Sequence, residues 1–360
     1  MSEPLDIRSC DRQELIAYMK SLGQPAFRAR QLFRQAQKLS APDFSSMSDL
    51  PLSLRQRLQE EARLTTPRVV TERISESGDT AKLLLEFADG ERVEMALMLY
   101  RREQARDRAT CCVSCQSGCA MGCRFCATGM FDRFRNLTAG EIVSQVQLAD
   151  ALARRLGFDG VSNLVYMGMG EPLANFENVR KSILLLNDED GLNVGARRIT
   201  VSTCGLVSRI YEMADWGLQV GLAVSLHAAD NEKRRALMPG ASRWTAEELI
   251  EACDHYRART GRRVTCEYAL IKGVNDSRED ANKLAALLTG KGILVNIILA
   301  NALPERGIEA SGEETCAAFC RVLEKAGVEV QIRESRGRDI EAACGQLRKR
   351  QEEQAGLKAD

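Results

Sequence analysis

Apolar and polar positions change rhythm along the chain, and each rhythm predicts a different kind of element. Up to about residue 65 the spacing is helical. DRQELIAYMKSLG sets Leu15, Ile16, Met19 and Leu22 on one face, with Gly23 at the stop. PAFRARQLFRQAQKL follows, with Pro25 near its start and Phe27, Leu32 and Phe33 apolar, and LPLSLRQRLQEEARL is a third helix, again opened by proline. From about 67 to 108 the pattern becomes strand-like. PRVVTERI, AKLLLEF and ERVEMALMLY read as strands, with turn signals at SGD and ADG, and predict a small antiparallel unit. RREQARDRA at 101–109 reads as a charged connecting loop.

From about residue 110 short apolar runs alternate with helical stretches. The runs TCCVSCQ, SNLVYMG, RITVSTCG, LQVGLAVSLHA, RVTCEYALI, ILVNIILAN and VEVQIRES predict strands. TAGEIVSQVQLADALARRL predicts a helix opened by a capping box of Thr138 and Glu141. Further helices are expected near 176–187 and 207–215, two across 231–259, and at 277–289 and 312–326. About six βα repeats argue for parallel strands with helices outside. Six fall short of the eight of a closed barrel, so the expected fold is α/β, an open partial (β/α)6 barrel. The expected division is a helical accessory domain at 1–66, a β-rich linker unit at 67–109 and the barrel at 110–360. Active sites of α/β barrels lie at the C-terminal ends of strands, and the polar segments GMGEP, STCG, SLHA and AN fall at such ends.

Lys+Arg and Asp+Glu both number 50, so overall charge gives no support to nucleic-acid binding and local clusters must supply it. Arg28, Arg30, Arg34, Arg55 and Arg57 are candidates for a basic face on the helical segment. Thirteen cysteines with no apolar leader in MSEPLDIRSCDRQEL point to a reducing compartment, and the expectation is a soluble cytoplasmic protein. No stretch approaches the roughly 18 apolar residues of a membrane helix.

The densest chemistry is GCAMGCRFCATG, Gly118 to Gly129, which holds Cys119, Cys123 and Cys126 in C-x3-C-x2-C spacing. A 4Fe–4S cluster is usually held by four cysteines, and three would leave one iron open to a small molecule. Spacing alone leaves other readings open: a zinc site with Cys115 as fourth ligand, a disulfide framework, or buried inert thiols.

Residues 110–346 resemble radical S-adenosylmethionine (SAM) enzymes, and within them the RlmN/Cfr family of RNA adenine methyltransferases. The resemblance rests on CVSCQSGCAMGCRFCATG, MGMGEPLAN, SLHA, GVND and the late AACGQL. It implies a partial radical SAM barrel in which Cys119, Cys123 and Cys126 hold the cluster and SAM sits on the open iron. It also implies that Gly170, Glu171, Ser202, Ser225, Leu226, His227 and Asn301 contact SAM. Carbon 2 of adenine is electron-poor, so polar methyl transfer to it is unfavourable. The family's solution is a methyl carrier on the protein, and Cys344 matches that residue. A first SAM would methylate Cys344, and a second would supply the radical that activates the S-methyl group. Cys112 matches the cysteine that forms a disulfide with the carrier as the RNA adduct is released. Glu94 matches the proton acceptor, although an alternating strand glutamate facing water is the simpler account of it.

The resemblance further implies ribosomal RNA as substrate with transfer RNA as a second, a flavodoxin or ferredoxin as electron donor, and a monomer. Arg133 and Arg135, Arg197 and Arg198, Lys233 with Arg234 and Arg235, and Arg333, Arg336 and Arg338 are the candidate RNA contacts. Alternative readings are a carbon-8 adenosine methyltransferase and a non-catalytic, metal-stabilised RNA-binding protein.

Overall fold

The structure is a computed structural model and describes residues 4–131, 133–333, 337–340 and 347–348. The N-terminal segment opens with β1 (Leu5–Asp6), then α1 (Arg12–Ser21), α2 (Phe27–Gln37) and α3 (Leu52–Glu61), and returns through β2 (Ala62–Arg63), which pairs parallel with β1. Asp11 and Glu14 form a capping box that starts α1. The buried Arg8 closes the segment, donating to Thr66 Oγ1 at 2.9 Å and to the Ala41 carbonyl at 2.6 Å.

Three strands follow: β3 (Arg68–Ile74), β4 (Thr80–Glu86) and β5 (Arg92–Tyr100), joined antiparallel by tight turns. They do not form a sheet of their own. β6 (Arg108–Cys112) pairs antiparallel with β5 and parallel with β7 (Asn163–Tyr166), so the antiparallel flank continues into the parallel strands. β6 begins inside the expected charged loop and ends at Cys112, before the predicted end of that strand. Val113 still donates to Val165 on β7, but the amides of Cys115 and Gln116 turn to the loop after β7, both donating to the Met169 carbonyl.

The remaining elements are α4 (Ala139–Arg155), α5 (Phe176–Asn187), β8 (Ile199–Thr203), α6 (Val207–Ala214), β9 (Gly221–Ser225), α7 (Asn231–Leu237), α8 (Ala246–Thr260), β10 (Val264–Leu270), α9 (Arg278–Leu288), β11 (Leu294–Leu299), α10 (Glu313–Lys325) and β12 (Val330–Arg333). Strands β6 to β12 are all parallel and neighbour one another in chain order, giving six βα crossovers. The ten-stranded sheet runs linearly from β3 to β12, and no pairing joins its two edges among the described residues. It is the expected open α/β barrel. Thr138 and Glu141 form the expected capping box on α4, and Arg135 holds Glu141 at 2.7 and 2.8 Å.

The helical segment is fastened to the barrel through α4 and the loop after α5. Gly140 donates to Ser9 Oγ, and a Cβ there would stand 2.4 Å from Asp6. Gln147 donates to the carbonyls of Ala36 and Gln37. Arg12 and Arg30 pair with Asp188 and Asp190. The expected basic face of the helical segment is therefore largely engaged within the molecule. Arg30 binds Asp190, Arg57 binds Glu61, Arg28 binds Gln31 and Arg55 binds the Ser45 carbonyl. Among the described residues no helix is long and apolar enough to cross a membrane.

Candidate active site

The C-terminal ends of the parallel strands and the inner face of β4 and β5 enclose one cavity of about 960 Å³. Its wall includes Cys119, Cys123 and Cys126 from the loop after β6, and Gly170 and Glu171 from the loop after β7. Ser202 is the penultimate residue of β8, Ser225 ends β9, His227 follows it, and Asn301 follows β11. Cys112 and Glu94 face the same space from β6 and β5. Leu226 is the exception: its side chain is in the core, and its amide donates to the Glu267 carbonyl at 3.1 Å. Cys344 lies outside the described residues.

Backbone shape explains the glycines around the cavity. Gly170 has φ of +102°, and a Cβ there would stand 2.6 Å from Gln116 Cβ. Gly168 would place a Cβ 2.6 Å from the Val113 carbonyl oxygen. These residues press the loop after β7 against the loop after β6. Glu171 then locks the arrangement. Its amide donates to Gln116 Oε1, and its carboxylate accepts the amides of Leu173 at 2.9 Å and Cys204 at 2.8 Å. Burial raises its pKa, opposed by those amides.

The cysteine loop is braced from two sides. Arg306 donates to the carbonyls of Cys123 and Gly129, each at 3.1 Å. Gly240 donates to the Met121 carbonyl, and a Cβ at Gly240 would stand 2.6 Å from Met121 Cα. Burial pushes the Cys119 thiol up to about 12 and Cys123 higher still, with charge on the neighbouring thiols adding to the shift. A bare set of thiolates is thus unfavourable there, and a cationic partner would relieve it. Among the described residues no group of three or more His, Cys, Asp or Glu side chains is placed to hold a single metal ion. The ligands of a four-iron cluster each meet a different iron, so they need not converge on one point. Three soft sulfur donors on a closely packed loop, opening on a cavity, fit a 4Fe–4S cluster with one free iron.

His227 sits at φ +55° and is buried. Its Nδ1 accepts the Ala269 amide at 2.8 Å, which leaves the ring proton on Nε2. Burial lowers its pKa to about 3, helped by Arg234, so the ring is neutral. The Phe125 ring meets it edge-on at 4.4 Å between centroids. Asn275 of the GVND motif is a brace, tying the His227 and Ala269 carbonyls to the Ile271 amide.

Strand alternation separates the adjacent cysteines. Cys111 points into the core, whereas Cys112 faces the cavity. Burial raises the Cys112 thiol pKa, which Arg333, the Met167 amide and Lys82 draw down. Cys115 is buried, and its thiol reaches the Met169 carbonyl at 3.6 Å. Glu94 does not face water. It is 3% exposed and pairs with Lys82 at 2.8 Å. Strand alternation gave no sign of this, because the inner face of β5 borders a polar cavity rather than solvent.

Several expected RNA contacts are engaged inside the molecule. Arg234 is buried and donates to the carbonyls of Cys204 and Ala241. Lys233 pairs with Asp280, and Arg135 with Asp89 and Glu141. Arg133, Arg197, Arg198 and Arg235 remain exposed. Arg336 lies outside the described residues, as does the side chain of Arg338.

A thiol-rich loop after the first strand of an open parallel barrel, with a glycine-rich loop and strand-end polar groups facing it, defines a radical SAM enzyme. Residues 113–285 match the Radical SAM superfamily, and residues 5–64 match the ribosomal RNA large subunit methyltransferase N-terminal domain. The probable dual-specificity RNA methyltransferase RlmN of Heliobacterium modesticaldum is 46% identical over 347 residues, covering 96% of this chain and 90% of its own. That of Moorella thermoacetica is 47% identical over 349 residues, covering 97% and 98%. A crystal structure of a radical SAM methyltransferase from Sphaerobacter thermophilus matches with a TM-score of 0.90 and 45% identity, over 95% of this chain and 99% of that one. The chain belongs to the RlmN family of radical SAM RNA methyltransferases. Its cofactors are accordingly a 4Fe–4S cluster and SAM, and the reading as a non-catalytic RNA binder is set aside.

Proposed function

We propose that this enzyme methylates carbon 2 of adenosine in large-subunit ribosomal RNA, with transfer RNA as a second substrate. The observation that carries the reading is the meeting of Cys112 and Glu94 with the three-cysteine loop on one cavity wall. Cys119, Cys123 and Cys126 hold the cluster, and Gly170, Glu171, Ser202, Ser225, His227 and Asn301 surround SAM, with Leu226 packed behind them in the core. When bound, the cluster and SAM supply a 5′-deoxyadenosyl radical, with two SAM molecules used per turnover.

The chain's own groups do the rest. Cys344 carries the methyl group as a thioether. It is four residues before Arg348, whose amide donates to Glu94 Oε1 at 2.6 Å at the cavity wall. Glu94 accepts the proton lost from the ring. The Cys112 thiolate attacks the Cys344 sulfur, the sulfur–carbon bond breaks with its electron pair going to carbon, which takes up a proton to complete the methyl group, and an external dithiol reduces the resulting disulfide before the next cycle. Neutral His227 offers Nε2–H to the cofactor without adding charge. The target adenosine leaves its stack to enter the cavity. Residues 1–66 dock RNA, the 67–109 strands form one wall, and 110–360 form the barrel. Exposed Arg133, Arg197, Arg198 and Arg235 contact phosphates. A flavodoxin or ferredoxin supplies electrons to a monomer in the cytoplasm.

Anaerobic incubation of the reconstituted enzyme with SAM, reductant and each RNA tests this. Nucleoside mass spectrometry against both isomers is expected to show 2-methyladenosine. 8-Methyladenosine as sole product would overturn the assignment.

A further inference from the structure

The antiparallel flank contains a charged pair that no sequence motif announces. Lys82 on β4 and Glu94 on β5 are 1% and 3% exposed, and their charged ends lie 2.8 Å apart. Both border the cavity. Taking two charges out of water is costly, so a fold that keeps them at a cavity wall invites a functional account. Strand register provides one. Lys82 lies opposite Ala96 on β5, and Ala96 lies opposite Cys112 on β6. The three share the inner face, and the small Ala96 leaves space between the lysine and the thiol. Glu94, two residues before Ala96, points to the same side.

We propose that Lys82 is a positioning residue of the methyl-transfer reaction: its buried ammonium pairs with the Glu94 carboxylate and aims it into the cavity beside Cys112. The proposal rests on the roles of Glu94 and Cys112 given above. Removing the ammonium takes away the ion pair that fixes the carboxylate's direction, so Glu94 is no longer held toward the cavity. The Arg348 amide on Oε1 orients the carboxylate but brings no full charge to it. Cys112 responds to the same pair, its thiol drawn down by Lys82 and pushed up by Glu94, beneath the larger effect of burial. Lys82 therefore acts through Glu94 and does not itself touch the reacting atoms.

The test uses the full chain and three variants: Lys82→Met, Glu94→Gln and the two together. In cluster-free protein, Lys82→Met is expected to lower the melting midpoint by about 8 °C, and adding Glu94→Gln is expected to restore most of that loss. In reconstituted enzyme, Lys82→Met is expected to slow RNA methylation about 100-fold, with protein–RNA adduct accumulating. The double variant is expected to match Glu94→Gln within twofold, because one residue works through the other. A Lys82→Met enzyme with unaltered turnover would overturn the proposal. So would a double variant at least tenfold slower than Glu94→Gln, or melting losses that simply add. Should Lys82→Met fail to fold, the double variant against Glu94→Gln still decides. Should a Cys112→Ala protein, unable to release the tether, form no RNA adduct at all, the carrier reading fails, while the melting cycle still reports whether the two residues are coupled.

Discussion

Parallel strands β6–β12 and antiparallel strands β3–β5 belong to one sheet and border one cavity, yet they present chemistry in opposite ways. On the parallel side most of the polar groups sit on loops beyond the strand ends, at Cys119–Cys126, Gly170, Glu171, His227 and Asn301, with Cys112, Ser202 and Ser225 in the last residues of their strands. On the antiparallel side they sit within strands, as Lys82 and Glu94. A loop group is placed by turns and backbone hydrogen bonds, which demand particular residues in a row. A strand group is placed by register alone, which demands nothing of its neighbours beyond alternation. The parallel half therefore advertises its site in motifs, and the antiparallel half conceals its share.

The largest effects are expected where the parallel half supplies cofactor ligands. Replacing any of Cys119, Cys123 or Cys126 by alanine is expected to abolish SAM cleavage and to lower iron and sulfide after anaerobic reconstitution. Retained cluster and 5′-deoxyadenosine release would break the link between that loop and the chemistry. Cys344→Ala is expected to leave the cluster intact but remove both RNA methylation and methyl loading of the chain. Normal turnover there would eliminate the carrier.

Next in size is backbone shape. Gly170→Ala forces a side chain into the left-handed region and against Gln116. A loss of about 2–4 kcal/mol in chemical denaturation, with weakened SAM binding, is expected. An unchanged midpoint would show that the loop after β7 has room the structure does not show.

The last effect depends on pH and is smallest near neutrality. With a folded-state pKa of about 3 against an ordinary value of 6.5, His227 is neutral in the native protein where the unfolded chain is protonated. The unfolded state therefore binds more protons between pH 6.5 and 3, and acid favours unfolding there. Wild-type stability should fall relative to His227→Asn by up to ~1.4 kcal/mol per pH unit as pH drops through that window, and the two should run parallel above it. Asparagine tolerates the positive φ of that position, which keeps the comparison clean. Parallel curves throughout would mean that the ring is charged or accessible in the native state.

The same contrast explains how much could be read from the chain. The order of helices and strands followed from periodicity because each βα unit buries one apolar face. The capping box at Thr138 and Glu141 located the start of α4 to the residue. The end of β6 was misplaced because TCCVSCQ stays apolar after its amides have left the sheet for the Met169 carbonyl. Candidate arginines were misassigned for a related reason. A basic run such as Lys233 to Arg235 looks the same whether it faces solvent or, like Arg234, caps buried carbonyls. Arg306, which braces the cysteine loop from 177 and 183 residues away in sequence, and Lys82 left no local trace. Their partners are defined only by the fold.

One isotope measurement tests the central claim that methyl transfer passes through a carbon radical on a cysteine carrier. With SAM bearing a fully deuterated methyl group, removal of one hydrogen from the carrier must exchange one deuterium for a proton from elsewhere. The methyladenosine formed from a carrier loaded in this way is expected to keep two deuterons. Product retaining all three would show that the methyl group moved intact, and would contradict the account.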